Sequence, residues 1–179
     1  MVIVVMGVTA SGKTVVGEAL ARRLEWVFAD ADDYHSPANR QKMHAGIPLD
    51  DEDRGPWLME LNELIDQWIE NGINGVLACS ALKQEYRDLL TADLPRGEVQ
   101  FVFLDGPRHL IEQRAKERHH AFATSALVDS QFATLEPPTD ALRVELEEPD
   151  QPAKTVEQIV AEILRSLHVQ SAEEWHATH

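Results

Sequence analysis

Residues 1–14 read MVIVVMGVTASGKT, and the fold turns on this stretch. Val2 to Met6 is an unbroken apolar run, mostly β-branched, the pattern of a strand buried on both faces of a parallel sheet. Gly7 to Thr14 then satisfies G-x-x-x-x-G-K-[ST] in full. Each residue type has a chemical reason. Gly7 and Gly12 permit torsions that let successive N–H groups, with those of Ala10 and Ser11 between them, converge on phosphate oxygens. Lys13 reaches the β- and γ-phosphate oxygens, and the Thr14 hydroxyl ligates Mg²⁺. The helix that follows, with Val15, Val16, Ala19, Leu20 and Leu24 on one face, directs its positive N-terminal end at the same anions. A chance match to the motif would lack a buried strand before it and a helix after it. Both are present within the first 24 residues, so the chain is expected to bind ATP.

Outward from this loop, apolar runs alternate with helical periodicity. Strands are expected at Trp26 to Ala29, Gly75 to Cys79, Val99 to Leu104 and Leu142 to Leu146. Ser36-Pro37 has the form of an N-cap followed by proline at the first helical position, opening a helix that Gly46 closes. The spacing of Trp57, Leu58, Leu61, Leu64, Ile65, Trp68 and Ile69 predicts a helix from Pro56 to about Ile69. Further helices are expected over Ala81 to Leu90, Pro107 to Arg118, Ala126 to Leu135 and the segment from Val156 to Leu167, with His119 to Ser125 irregular. Strands alternating with helices imply right-handed βαβ units and a parallel sheet covered on both faces. One α/β domain over residues 1–168 is expected, followed by a tail, 169–179, without the apolar periodicity that would order it.

Composition bounds the function. The chain has 179 residues, 44% hydrophobic and 26% charged, as in an ordinary globular domain. Its net charge of −15 and the absence of a Lys/Arg run argue against nucleic acid as a partner, because such binding draws on clustered cations. The apolar N-terminus is far shorter than the roughly 20 residues that span a bilayer and carries no basic leader. A single cysteine, Cys79, rules out an internal disulfide. A cytoplasmic protein without a membrane partner is expected.

Asp30 and Asp32 lie where the second strand ends, the edge at which ligands bind in open parallel sheets. Phosphorylating a hydroxyl needs a carboxylate to orient the nucleophile and take its proton, and a second acidic contact near Mg²⁺. Two aspartates two residues apart supply both, although aspartates are also common in solvated turns. In so acidic a chain the placement of cations is informative. Arg54 stands just ahead of the expected Pro56 helix; Lys83 and Arg87 lie four apart on one expected helix, as do Arg114 and Arg118 on another. Each is either an anion clamp or one half of a surface ion pair, since acidic residues stand near all of them. His109, His119 and His120 lack the spacing of a metal site, and Cys79 reads as a small core residue.

Beyond the phosphate loop, the chain resembles the gluconokinases of the shikimate-kinase-like branch of P-loop kinases. The resemblance spans residues 2 to about 165 and rests on MGVTASGKT, DADDYHSPANRQKM, GIPLDDEDRGPWL, CSALKQEYRDLL and SQFATLEPP in that order. It implies a P-loop kinase fold with a five-stranded parallel sheet and a mobile lid at about 114–135. It implies Asp30 near Mg²⁺, Asp32 as base on the substrate hydroxyl, and His35 as the matching histidine on the substrate. Arg54, Lys83 and Arg87 would hold the gluconate carboxylate and polyol. Arg114 and Arg118 would border the lid over ATP, Arg118 acting in catalysis, and Asp150-Gln151-Pro152 would lie beside the adenine. The lid departs from the family: His119-His120-Ala121-Phe122 stands where Gly-His-Phe is usual after the second arginine, with alanine in place of the histidine. The family is commonly dimeric. The implied activity is transfer of the γ-phosphoryl group of ATP to the 6-hydroxyl of D-gluconate, with Mg²⁺. The rival readings are a kinase for another hydroxy acid such as shikimate, and a weakly catalytic nucleotide-binding regulator.

Overall fold

A computed structural model describes residues 1–117 and 125–167 of the protein. Arg118, the run His119-His120-Ala121-Phe122 and the tail 169–179 fall outside the described residues. Five strands, β1 (Val2–Met6), β2 (Val27–Asp30), β3 (Gly75–Ala78), β4 (Val99–Asp105) and β5 (Leu142–Glu145), form one sheet in the order β2-β3-β1-β4-β5. Every pairing is parallel, from Val27 against Gly75 at one edge to Asp105 against Glu145 at the other. Seven helices complete the described chain: α1 (Lys13–Leu24), α2 (Pro37–His44), α3 (Asp51–Glu70), α4 (Gln84–Leu90), α5 (Arg108–Glu117), α6 (Ser125–Thr134) and α7 (Val156–Leu167).

The central strand β1 shows why the sheet is covered on both sides. All five of its residues are buried. Ile3 and Val5 face a core built with α1, α5 and α7, while Val2, Val4 and Met6 face a second core built with α3 and α4. That period-two division turns an unbroken apolar run into two hydrophobic contacts. Tight approaches fix the layers: a Cβ on Gly75 would lie 2.4 Å from the Trp68 ring, so α3 returns to β3 only over a glycine.

Most element boundaries agree with expectation within one or two residues. Two differences bear on the site. α3 begins at Asp51, five residues ahead of the Pro56 start, so Arg54 lies within its first turn. The reason is a capping box: the Asp50 side chain accepts the Asp53 N–H, and the Asp53 carboxylate accepts that of Asp50. Pro56 is tolerated in the second turn, where it removes one intrahelical donor. α4 is shorter than the expected Ala81 start. It begins at Gln84 with Lys83 as its N-cap, because the Ala81 backbone is turned into the left-handed region at φ 43°.

Candidate active site

The phosphate loop joins β1 to α1 as its sequence demands. Gly7 has φ 147°, and a Cβ there would press to 2.8 Å from the Leu104 carbonyl oxygen, so only glycine fits. Ala10 (φ 60°) and Gly12 (φ 99°) are also left-handed, which turns the loop's amides inward. Ser11 is fully buried and its hydroxyl has no hydrogen-bond partner among the described residues. Lys13 folds over the loop and donates to the Val8 carbonyl at 3.0 Å. From α5, Arg114 donates to the Ser11 carbonyl at 3.3 Å.

Beside the loop is a cavity of about 280 Å³ lined by Ala10, Ser11, Gly12, Arg114, Lys154 and Val156, among others. Gln151 and Pro152, expected beside the adenine, are not among the residues that line this cavity. Gln151 instead donates to Glu148 through both its amide side chain and its backbone N–H. The wall comes from Lys154 and Val156, after the chain has turned back to α7. Lys154 is held there by Glu148 and Glu162 at 3.2 and 2.8 Å.

At the end of β2, Asp30 does two things at once. Its Oδ2 accepts the Thr14 hydroxyl at 2.7 Å, and its Oδ1 accepts the Asp32 N–H at 3.0 Å, capping the 3₁₀ turn Ala31–Tyr34. The loop hydroxyl and the first carboxylate are therefore already paired, while Asp32 projects from the turn. Crowding by its surroundings, then the negative charge of Asp30, raises the Asp32 pKa above the ordinary carboxylate value, with Lys13 opposing. Its side chain still keeps 77% of its surface open to water, so screening makes the energetic effect small.

His35 follows and is buried. Its ring stacks on Trp57 with centroids 4.3 Å apart, and its Nε2 lies 3.9 Å from the Asp32 carboxylate. Burial, then the cations Arg54 and Arg40, lower its pKa to about 4, so the ring is neutral at pH 7. The Trp57 indole N–H donates to the Ala31 carbonyl at 2.7 Å, which ties α3 to the turn that carries Asp32. The sequence reading placed Trp57 only in the apolar stripe of α3, and a helical period cannot tell such a residue from ordinary core.

The expected basic clamp assembles differently from the prediction. Lys83 does not share a helix face with Arg87. Its ammonium is bonded to both oxygens of Asp51 at 2.8 Å, and the Tyr86 hydroxyl donates to the same carboxylate. Arg54 lies 5.6 Å and Lys83 5.2 Å from the Tyr86 ring centroid. Arg54, Lys83, Asp51 and Tyr86 thus form one cluster between α3 and the start of α4. Arg87 is buried instead, donating to the carbonyls of Ala81 and Leu82 at 2.9 and 3.2 Å. It is a staple for the loop after β3, with Nη1 shared between the two carbonyls and Nη2 donating to the Gln84 side chain at 2.9 Å. Cys79 is fully buried with its thiol pushed up to about 12, as expected of a core residue. His109 pairs with Glu147 at 2.6 Å on the surface.

Comparison with known proteins agrees with this arrangement. Residues 2–138 match the family described as an AAA domain. A probable gluconokinase of Xenopus tropicalis is 47% identical over 152 residues, covering 78% of this chain and 80% of its own. A gluconokinase structure from Sinorhizobium meliloti 1021 superposes with a TM-score of 0.79 at 38% identity, over 99% of this chain and 97% of that one. An unliganded sugar kinase from Janibacter sp. HTCC2649 gives a TM-score of 0.81 at 40% identity, with 94% of each chain covered. With the loop, the acidic pair and this similarity along most of its length, the chain belongs to the gluconokinase family.

Proposed function

We propose that this protein transfers the γ-phosphoryl group of ATP to the 6-hydroxyl of D-gluconate. The carrying observation is the line Thr14–Asp30–Asp32: one carboxylate tied to the loop hydroxyl, the next exposed beside it and within reach of the charge of Lys13.

The residues fit Mg²⁺ as the metal. A hydroxyl and a carboxylate oxygen are already 2.7 Å apart, and no group of three His, Cys, Asp or Glu suited to a metal occurs among the described residues. Mg²⁺ is commonly held by one or two protein oxygens together with phosphates and water, so Thr14 and Asp30 would hold it. When bound, it would neutralise charge on the phosphates. Lys13 binds the transferring phosphoryl oxygens, and the loop amides hold those behind them. Asp32 orients the 6-hydroxyl and takes its proton, a role suited to a carboxylate with a raised pKa. Neutral His35, held against Trp57, keeps a second cation away from that base. Arg118 remains our candidate for stabilising the charge that develops in transfer.

On the substrate side Arg87 is committed to backbone carbonyls and Lys83 to Asp51. Arg54 is therefore our choice for the gluconate carboxylate. It spends Nε and Nη2 on the Leu49 carbonyl, and the guanidinium has further N–H donors. Lys83 and Asp51 then face the polyol as donor and acceptor.

The test is a coupled ATP-to-ADP assay with Mg²⁺ on D-gluconate, with shikimate, glycerate and other sugar acids alongside. Selective turnover of gluconate is the expected result. Preference for another acid would overturn the substrate, and ATP binding without turnover would favour a nucleotide-binding regulator.

A further inference from the structure

The motif SQFATLEPP contains two residues that the reading above leaves without a role, Gln131 and Glu136. Gln131 lies on α6, and its side-chain oxygen accepts the N–H of Thr9 at 2.6 Å, across 122 residues of sequence. Thr9 is inside the phosphate loop, so one of the loop's own amides is engaged by a residue from a different element. Just past the end of α6, Glu136 makes two more attachments. Its N–H donates to the Leu82 carbonyl at 2.9 Å, and its carboxylate accepts the N–H of Gln84 at 2.7 Å.

The second bond fills a gap. Lys83 is the N-cap of α4 but supplies no side-chain cap. Glu136 caps that helix from outside and places a negative charge at its positive end. The segment that carries the two attachments is packed along its length. Val128 is buried in one core, Leu135 packs against both cores, and Phe132 lies under the Arg108 guanidinium, 4.6 Å from ring centroid to cation. Pro137 and Pro138 follow and restrict the chain's exit.

We propose that Gln131–Glu136 is a positioning strut. Gln131 sets the phosphate loop and Glu136 sets the Lys83 turn, so one rigid segment fixes the separation of the transferring phosphoryl group and the acceptor. The residue types suit this. A glutamine accepts from Thr9 without a charge beside the phosphates, whereas a glutamate there would repel them. Where charge helps, at the N-terminus of α4, the chain has a glutamate. The acceptor half rests on the reading of Lys83 given above.

The test separates the two halves. Gln131→Ala is expected to lower kcat about 10- to 100-fold by misplacing the loop, with little change in thermal midpoint. In Gln131→Glu, ATP affinity measured by calorimetry is expected to weaken about 10-fold relative to Gln131→Ala at pH 8, because the new carboxylate is ionised beside the phosphates. Glu136→Gln is expected to raise the KM for gluconate and leave ATP affinity unchanged. The double variant Gln131→Ala/Glu136→Gln is expected to lose less than the product of the single losses, because both act through one segment. Wild-type kcat in Gln131→Ala, an ATP affinity in Gln131→Glu equal to that in Gln131→Ala, or fully multiplicative losses would each overturn the strut. Lys83→Ala is the control: an unchanged gluconate KM there removes the Lys83 reading, while the ATP arm still decides the role of Gln131.

Discussion

Asp32 and His35 are three residues apart and depend on opposite consequences of crowding. For Asp32, the base proposed above, the direction of the shift places the acid limb of the kcat/KM profile slightly above the ordinary carboxylate range. Asp32→Asn is expected to cut kcat about 10²- to 10⁴-fold while ATP affinity stays near wild type, and to abolish that acid limb. Wild-type turnover in this variant would remove Asp32 from the base role. For His35 the pKa is depressed, from 6.5 to about 4. Below pH 6.5 the unfolded chain binds a proton here that the folded chain refuses, so the contribution of His35 is present above 6.5 and lost as the pH falls toward 4. The full loss is about 3 kcal/mol. Denaturant titrations from pH 7 to 4 are expected to show a shallower fall in His35→Gln than in wild type. Equal slopes would mean that the ring is not held neutral against Asp32, Arg54 and Arg40.

Among the elements, α3 carries the most function per turn. Its first turn holds Asp51 and Arg54, its second holds Trp57, and its start is decided by one aspartate outside the helix. Asp50→Ala is expected to cost about 1 kcal/mol, and the thermal midpoint should fall about 2–4 °C. Because the fraying turn carries Arg54, proposed above to hold the gluconate carboxylate, the KM for gluconate should rise while the KM for ATP holds. A parallel rise in both would mean the cap acts on the whole domain. This start was legible as a pattern, since Asp50 and Asp53 stand three apart ahead of an apolar run, but Pro56 is the louder signal and places the boundary too late. The helix face expected to be shared by Lys83 and Arg87 does not form, for a related reason. Spacing of four puts two residues on one face only if both are helical, and the left-handed turn at Ala81 leaves Lys83 outside the helix.

For the molecule as a whole, net charge −15 sits uneasily with two anionic substrates. The preformed loop answers this locally: its amides, Lys13 and Arg114 meet at the end of α1, where the helix dipole adds to them. Binding to so organised a site stabilises the folded state alone. At 100 times its dissociation constant, MgATP should add about 2.7 kcal/mol and raise the midpoint by about 5–10 °C. Chelation of the metal by EDTA should remove most of that gain. No shift with MgATP at that concentration would mean that the folded chain does not bind it preferentially over the unfolded chain.

The sequence by itself determined the strand–loop–helix around Gly7–Thr14, the alternation that makes a covered parallel sheet, and the acidic pair at the end of β2. These signals are local: a glycine torsion, a hydrophobic period, a residue at a strand end. Tertiary structure alone decided which cations are paired with which neighbours, that Asp51 and Tyr86 join Lys83, that Lys154 and Val156 line the cavity beside the phosphate loop, and that Gln131 and Glu136 bridge two distant loops. Those facts depend on which side chains arrive at the same place from different elements. Arginine, lysine and glutamate serve equally as ligands, staples or surface pairs, and only the neighbours brought by the fold choose between them.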